Sequence, residues 1–111
     1  RVLVSSFNPL VLYHLKKLAP SISRGLLFEF RLPIHFGKIN SSLLKLQALH
    51  PSAHLTNEKL MQIARKHNYQ VNTWTVNEPN EMHRLIDLGV DSIITDYPDR
   101  LKQVFTERNL L

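Results

Sequence analysis

The sequence predicts an α/β protein of parallel strands alternating with helices, on three observations. Short apolar, β-branched runs alternate with helical stripes along the 111 residues. Three times a strand hands over to a helix through Asn or Asp followed by Pro: Asn8-Pro9, Asn77-Glu78-Pro79 and Asp96-Tyr97-Pro98. No Asn-Gly or Asp-Gly hairpin signal occurs, so consecutive strands run parallel. The units repeat every twenty to twenty-five residues or so, which suits an open doubly wound sheet or a closed eight-unit barrel of about 250 residues.

Val2-Leu3-Val4, ending at Ser5-Ser6, reads as a strand buried on both faces of a parallel sheet. Asn8 caps the next helix, Pro9 takes its first position, Val11, Leu15 and Leu18 form its apolar stripe, and Pro20 stops it. Arg24 to Phe30 is the second strand. Pro33 and Gly37 break any period between Arg31 and Asn40, Ser42 to Gln47 reads as a short helix, and Ala48-Leu49-His50-Pro51 as a very short strand. Thr56 is the expected cap of a helix with Leu60, Ile63, Ala64 and His67 on one face. Tyr69 to Val76 is a strand with Val71, Thr73 and Thr75 on one side and Asn72, Trp74 and Val76 on the other. A helix with a Met82, Leu85, Ile86 stripe ends at Gly89, a left-handed C-terminal position. Val90 to Thr95 is the next strand, and a last helix faces Leu101, Val104 and Phe105 inward. A chain that begins inside a strand is expected to continue a longer one, because domains usually begin in exposed, mobile residues.

The composition, 43% hydrophobic and 21% charged, is enough for one core and not for two. The net charge of +5 favours an anionic partner, but no Arg/Lys stripe alternates with aromatics, so a nucleic-acid partner is not expected. The absence of cysteine excludes disulfides, thiolate metal sites and cysteine nucleophiles from these residues. No apolar stretch is long enough for a membrane span.

In parallel α/β proteins the working face lies at the carboxyl ends of the strands, where helix N-termini favour phosphate or carboxylate. The residues expected there are Ser5, Ser6 and Phe7, then Phe28 and Glu29, then His50, then Trp74 to Asn77, and Thr95 with Asp96. Gly25, Gly37 and Gly89 are too scattered for a phosphate loop. Trp74 reads either as a ligand wall or as core; Asn77 and Asp96 read as helix caps before ligand contacts. Glu29 and Asp96 alone do not make a metal site, and the six histidines form no acid/base pair. No catalytic residue and no metal ligand is assigned.

Four segments, Val2 to Pro9, Gly25 to Phe28, Val71 to Asn77 and Gly89 to Pro98, resemble in order and spacing the C-terminal half of the glycerophosphodiester phosphodiesterases. The resemblance implies an α/β fold that is the C-terminal part of a TIM-type (β/α) barrel. It implies residues 1–111 as the C-terminal half of that barrel, the N-terminal half being absent. The implied activity is that of a phosphoric diester hydrolase of lipid and glycerol metabolism, acting on glycerophosphodiesters to give glycerol 3-phosphate and an alcohol. A divalent metal, Mg or Ca, goes with it, and a cytoplasmic location is expected. Carried over by position, Phe7 and Trp74 are substrate-pocket walls with Ser6 and Asn77 beside them, and Asp96 is structural. The family's His-Arg-Gly and Glu-x-Asp segments, its second histidine and a further Glu do not occur here. The isolated segment is therefore expected to be inactive, and to need a missing half or self-association to cover its strand edges. The alternative is a non-catalytic phosphate-binding or assembly module.

Overall fold

The computed structural model describes residues 2–30 and 44–110. Among them the strands β1 (Leu3–Ser6), β2 (Ser23–Phe28), β3 (Ala48–Pro51), β4 (Gln70–Thr73) and β5 (Ser92–Ile93) lie side by side in chain order, all parallel. The helices are α1 (Pro9–Leu18), α2 (Glu58–Lys66), α3 (Pro79–Leu88) and α4 (Pro98–Glu107). Ala48 to Pro51, the faintest strand in the sequence, is the middle one and is buried throughout. Val90 to Thr95 shortens to a two-residue ladder at β5. Of the expected helix from Ser42 to Gln47, residues 44–47 are not helical, with Lys45 at φ 47°, and the rest lies outside the described residues, as does the stretch from Arg31 to Asn40.

The helix termini follow local chemistry. Asn8 Oδ1 accepts the Leu10 N–H at 2.9 Å, and Pro9 stands where a missing donor costs nothing. Gly89 closes α3 at φ 83°, the left-handed region that a side chain disfavours. At α2 the cap is Asn57, accepting from Leu60 N at 2.9 Å, and not Thr56. Thr56 is buried, its Oγ1 donating to the Ser52 carbonyl at 3.1 Å and meeting Thr73 Oγ1 at 3.0 Å.

Side chains of one strand parity face the helices. Leu26, Phe28, Leu49 and Val71 pack with Leu12, Met61 and Ala64, while Val76, Met82, Leu85 and Val104 form a second cluster. Each fully buried Leu or Met contributes about 1.5–3 kcal/mol. Four expectations need correction. In α1 the buried residue is Leu12, whereas Val11 is 47% and Leu18 85% exposed, because the sheet covers the face of the helix centred on Leu12. In α2 Met61 and Ala64 are buried and Ile63 is exposed. Strand β1 is not buried on both faces: it is an edge of the sheet among the described residues, with Val2 and Leu3 exposed. The alternation expected through Val76 stops where the strand does, so Val76 turns into the helix-side cluster.

Arg24, 2% exposed, fastens the amino end of β2. Its guanidinium donates to the carbonyls of Pro20, Ile22, Leu44 and Lys45 at 2.7 to 3.2 Å. Carbonyl oxygens, not a carboxylate, thus receive this buried charge.

Candidate ligand site at the strand carboxyl ends

The strand parity opposite the helices carries a row of polar side chains. Ser5 Oγ lies 2.7 Å from His50 Nδ1, Asn72 Nδ2 lies 3.0 Å from His50 Nε2, and Ser92 Oγ donates to Asn72 Oδ1 at 2.7 Å. The row thus links β1, β3, β4 and β5. It crosses β2 at Gly25, where a Cβ would stand 2.7 Å from His50 Nε2. Burial lowers the His50 pKa from its ordinary value. His50 lies within β3, the short strand expected from Ala48 to Pro51, where it pairs with Leu27 of β2.

Just beyond this row stands Trp74, half-buried after β4. Its indole N–H donates to the His50 carbonyl at 2.6 Å, and the Phe7 ring meets it edge to face at a centroid distance of 5.8 Å. Trp74 is therefore at the carboxyl mouth and not between sheet and helices. A cleft of about 590 Å³ opens there, lined by Glu29, Ser52, His54, Trp74, Thr75 and Arg84 among others. Arg84 is held by the Thr56 and Ala53 carbonyls at 2.8 and 3.0 Å and grips Glu81 through both carboxylate oxygens. Hydrogen bonding to that guanidinium holds the Glu81 carboxyl below its usual range.

The structure brings Phe7 and Trp74 together and puts Ser6 and Asn77 to local use. Ser6 Oγ accepts the Asn8 N–H at 3.0 Å in the turn before α1. Asn77 Oδ1 accepts from Thr95 Oγ1 at 3.2 Å and from Asp96 N at 3.0 Å, while its Nδ2 donates to Asp96 Oδ2 at 3.1 Å. Neither Asn77 nor Asp96 is a helix cap. The residues at those cap positions, Glu78 and Tyr97, make no side-chain capping bond, and Asn77 instead latches the loop after β4 to the loop after β5. Phe28, expected at the mouth, packs in the helix-side cluster. The polar row through His50, Asn72 and Ser92 was missed, although the alternation that puts Asn72 on the Trp74 side of β4 was its signal.

Among the described residues no three His, Asp or Glu side chains gather to hold a metal ion. No helix among them is long and apolar enough to cross a membrane.

Residues 1–100 match the model of the glycerophosphoryl diester phosphodiesterase family. The chain belongs to that family. A glycerophosphodiester phosphodiesterase of Caldanaerobacter subterraneus subsp. tengcongensis is 37% identical over 105 residues, 91% of this chain and 41% of that protein. A putative glycerophosphoryl diester phosphodiesterase from Silicibacter pomeroyi superposes with a TM-score of 0.89 at 27% identity, over 99% of this chain and 39% of the other. A phosphodiesterase from Oleispira antarctica, solved in complex with the product sn-glycerol-3-phosphate, superposes with a TM-score of 0.84 at 25% identity, over 94% of this chain and 41% of the other. The chain is thus part of a TIM-type (β/α) barrel, and it spans well under half the length of these relatives.

Proposed function

We propose that this chain is the C-terminal half of a barrel that hydrolyses glycerophosphodiesters to glycerol 3-phosphate and an alcohol, and that it supplies barrel closure and the aromatic wall of the substrate pocket. The observation that carries this is the Phe7–Trp74 pair, edge to face at 5.8 Å at the carboxyl ends of the strands. A rigid apolar wall there excludes water from one side of a ligand and holds its carbon skeleton, while the mouth remains open to polar groups. Ser6 and Asn77 act beside it by shaping the turns after β1 and β4, through the hydrogen bonds given above.

A divalent metal, Mg²⁺ or Ca²⁺, belongs to the same proposal, since a metal neutralises charge that develops on a phosphodiester under attack. The described residues do not fit it. Asp96 is engaged by Asn77 and Glu81 by Arg84, so in this proposal the ligands lie outside residues 1–111. The strands β1 and β5, edges among the described residues, are the surfaces that the rest of the barrel, or a second copy of the chain, would cover. A cytoplasmic location is part of the proposal, to be checked by cell fractionation.

The test is release of glycerol 3-phosphate from glycerophosphocholine by the full-length protein that carries this chain, with Mg²⁺ or Ca²⁺ and with EDTA. Metal-dependent release is expected. Absence of release from every glycerophosphodiester tried, with phosphate binding retained, favours the non-catalytic phosphate-binding module.

A further inference from the structure

We propose that Ser5 is a ligand-binding residue: Ser92, Asn72 and His50 form a one-way hydrogen-bond chain that leaves the Ser5 hydroxyl proton free to donate to an oxyanion at the strand carboxyl ends. The choice of a phosphoryl oxygen as that oxyanion rests on the phosphodiester reading above.

The direction follows from the groups present. Asn72 turns its Nδ2 toward His50 Nε2 and its Oδ1 toward Ser92 Oγ. An amide nitrogen only donates, so Nε2 accepts, and a neutral imidazole that accepts at Nε2 carries its hydrogen on Nδ1. Nδ1–H therefore donates to Ser5 Oγ across 2.7 Å. Burial, which lowers the His50 pKa, favours this neutral form. Ser92 supplies the first proton of the chain and Ser5 holds the last, which has no acceptor among the described residues.

Three features hold the chain in this order. Gly25 gives the ring its seat, since any side chain there would reach it. The His50 carbonyl is fixed by the Trp74 indole at 2.6 Å, so the strand position of the ring and the aromatic wall are set together. Ser5 itself is exposed and lies two residues before Phe7, whose ring meets Trp74, so its hydroxyl opens beside that wall. A hydroxyl whose oxygen already accepts a hydrogen bond is a better donor, and a charged oxygen strengthens the bond further. His50 and Asn72 act through Ser5 and are positioning residues.

The experiment uses the full-length protein and reads binding without turnover. Inorganic phosphate and sn-glycerol 3-phosphate are titrated calorimetrically against wild type, Ser5→Ala, Ser5→Thr and Asn72→Ala. Ser5→Ala is expected to weaken both probes about tenfold while thermal unfolding stays cooperative, with only a modest fall in midpoint from the lost His50 bond. Ser5→Thr, which keeps the hydroxyl, is expected to restore binding, and Asn72→Ala to weaken it although Ser5 is intact. If Ser5→Ala fails to fold, Ser5→Cys, close in size and a weak donor, takes its place. In parallel, the ¹⁵N shifts of His50 are expected to show hydrogen on Nδ1 and a bare Nε2, a signature that mere packing would not require. Hydrogen on Nε2 reverses the chain and overturns the inference, as does unchanged affinity in the folded Ser5 variant or a wild type that binds neither probe. Ser5-dependent phosphate binding without diesterase turnover would sink the hydrolase reading and leave this one standing. Turnover with Ser5-independent binding would do the opposite.

Discussion

The imidazole of His50 lies on the bare backbone of Gly25, so close that a Cβ on Gly25 would stand 2.7 Å from Nε2. The ring cannot swing away without breaking its bonds to Ser5 and Asn72. Gly25→Ala is therefore expected to cost about 1–3 kcal/mol, the usual range for forcing extra volume into a packed site. Urea denaturation of the full-length protein checks this, and a midpoint unchanged from wild type would contradict it.

Trp74→Ala should raise KM or lower kcat/KM for glycerophosphodiesters while unfolding stays cooperative, because the ring stands at the mouth and not in the helix-side core. Trp74→Phe keeps an aromatic face and loses the N–H bond to the His50 carbonyl, so it should fall between wild type and alanine. Normal kinetics in a strongly destabilised Trp74→Ala protein would mean that the indole serves packing alone.

Acid should weaken the fold through His50. Its pKa is lowered by burial from the ordinary value of 6.5. The unfolded chain therefore takes up a proton there before the folded chain does. The stability tied to neutral His50 is fully present above about pH 6.5 and is lost as pH falls through that value toward the lower folded pKa. Unfolding free energy measured between pH 8 and pH 5 should decline, and His50→Gln should flatten part of that decline. An equal slope in both proteins would rule His50 out as its source.

Removing the Arg24 guanidinium takes a donor from the carbonyls of Pro20, Ile22, Leu44 and Lys45, of which Lys45 O keeps the Gln47 Nε2 bond at 2.8 Å. Arg24→Met is expected to lower stability by about 2–4 kcal/mol, as for buried polar groups that lose a charged partner. Chemical denaturation is the check. A neutral result would show that water reaches these carbonyls.

Asn77→Ala should release the loop after β4 from the loop after β5, since one amide holds both Thr95 and Asp96. A loss of about 0.5–1.5 kcal/mol is expected, with KM rising alongside. A rise in KM with no change in stability would instead point to direct ligand contact by Asn77.

The alternation of strand and helix was legible because punctuation such as Asn8-Pro9 and Gly89 acts locally, within a few residues. Which helical face is buried was less so. In α1 the stripes through Val11 and through Leu12 are both apolar, and only the placement of the sheet decides for Leu12. The strand Ala48–Pro51 was faint because strand propensity is weak for His and Pro; parallel neighbours on both sides make it central. At the site, Trp74 and Phe7 stood out as large aromatics at strand ends. Asn72 and Ser92 did not, because a small polar residue in a strand has meaning only once its cross-strand partners are known.

The sheet order β1-β2-β3-β4-β5 repeats the order of the chain. Each of β2 to β5 thus pairs with the strand synthesised just before it, and loop closure among the described strands spans only the segment between consecutive strands. Pairing among these five strands can advance in chain order during translation. Cooperativity should accordingly pass from neighbour to neighbour, so that loosening at β5 spreads first to β4 and reaches β1 last, an order that hydrogen exchange can follow.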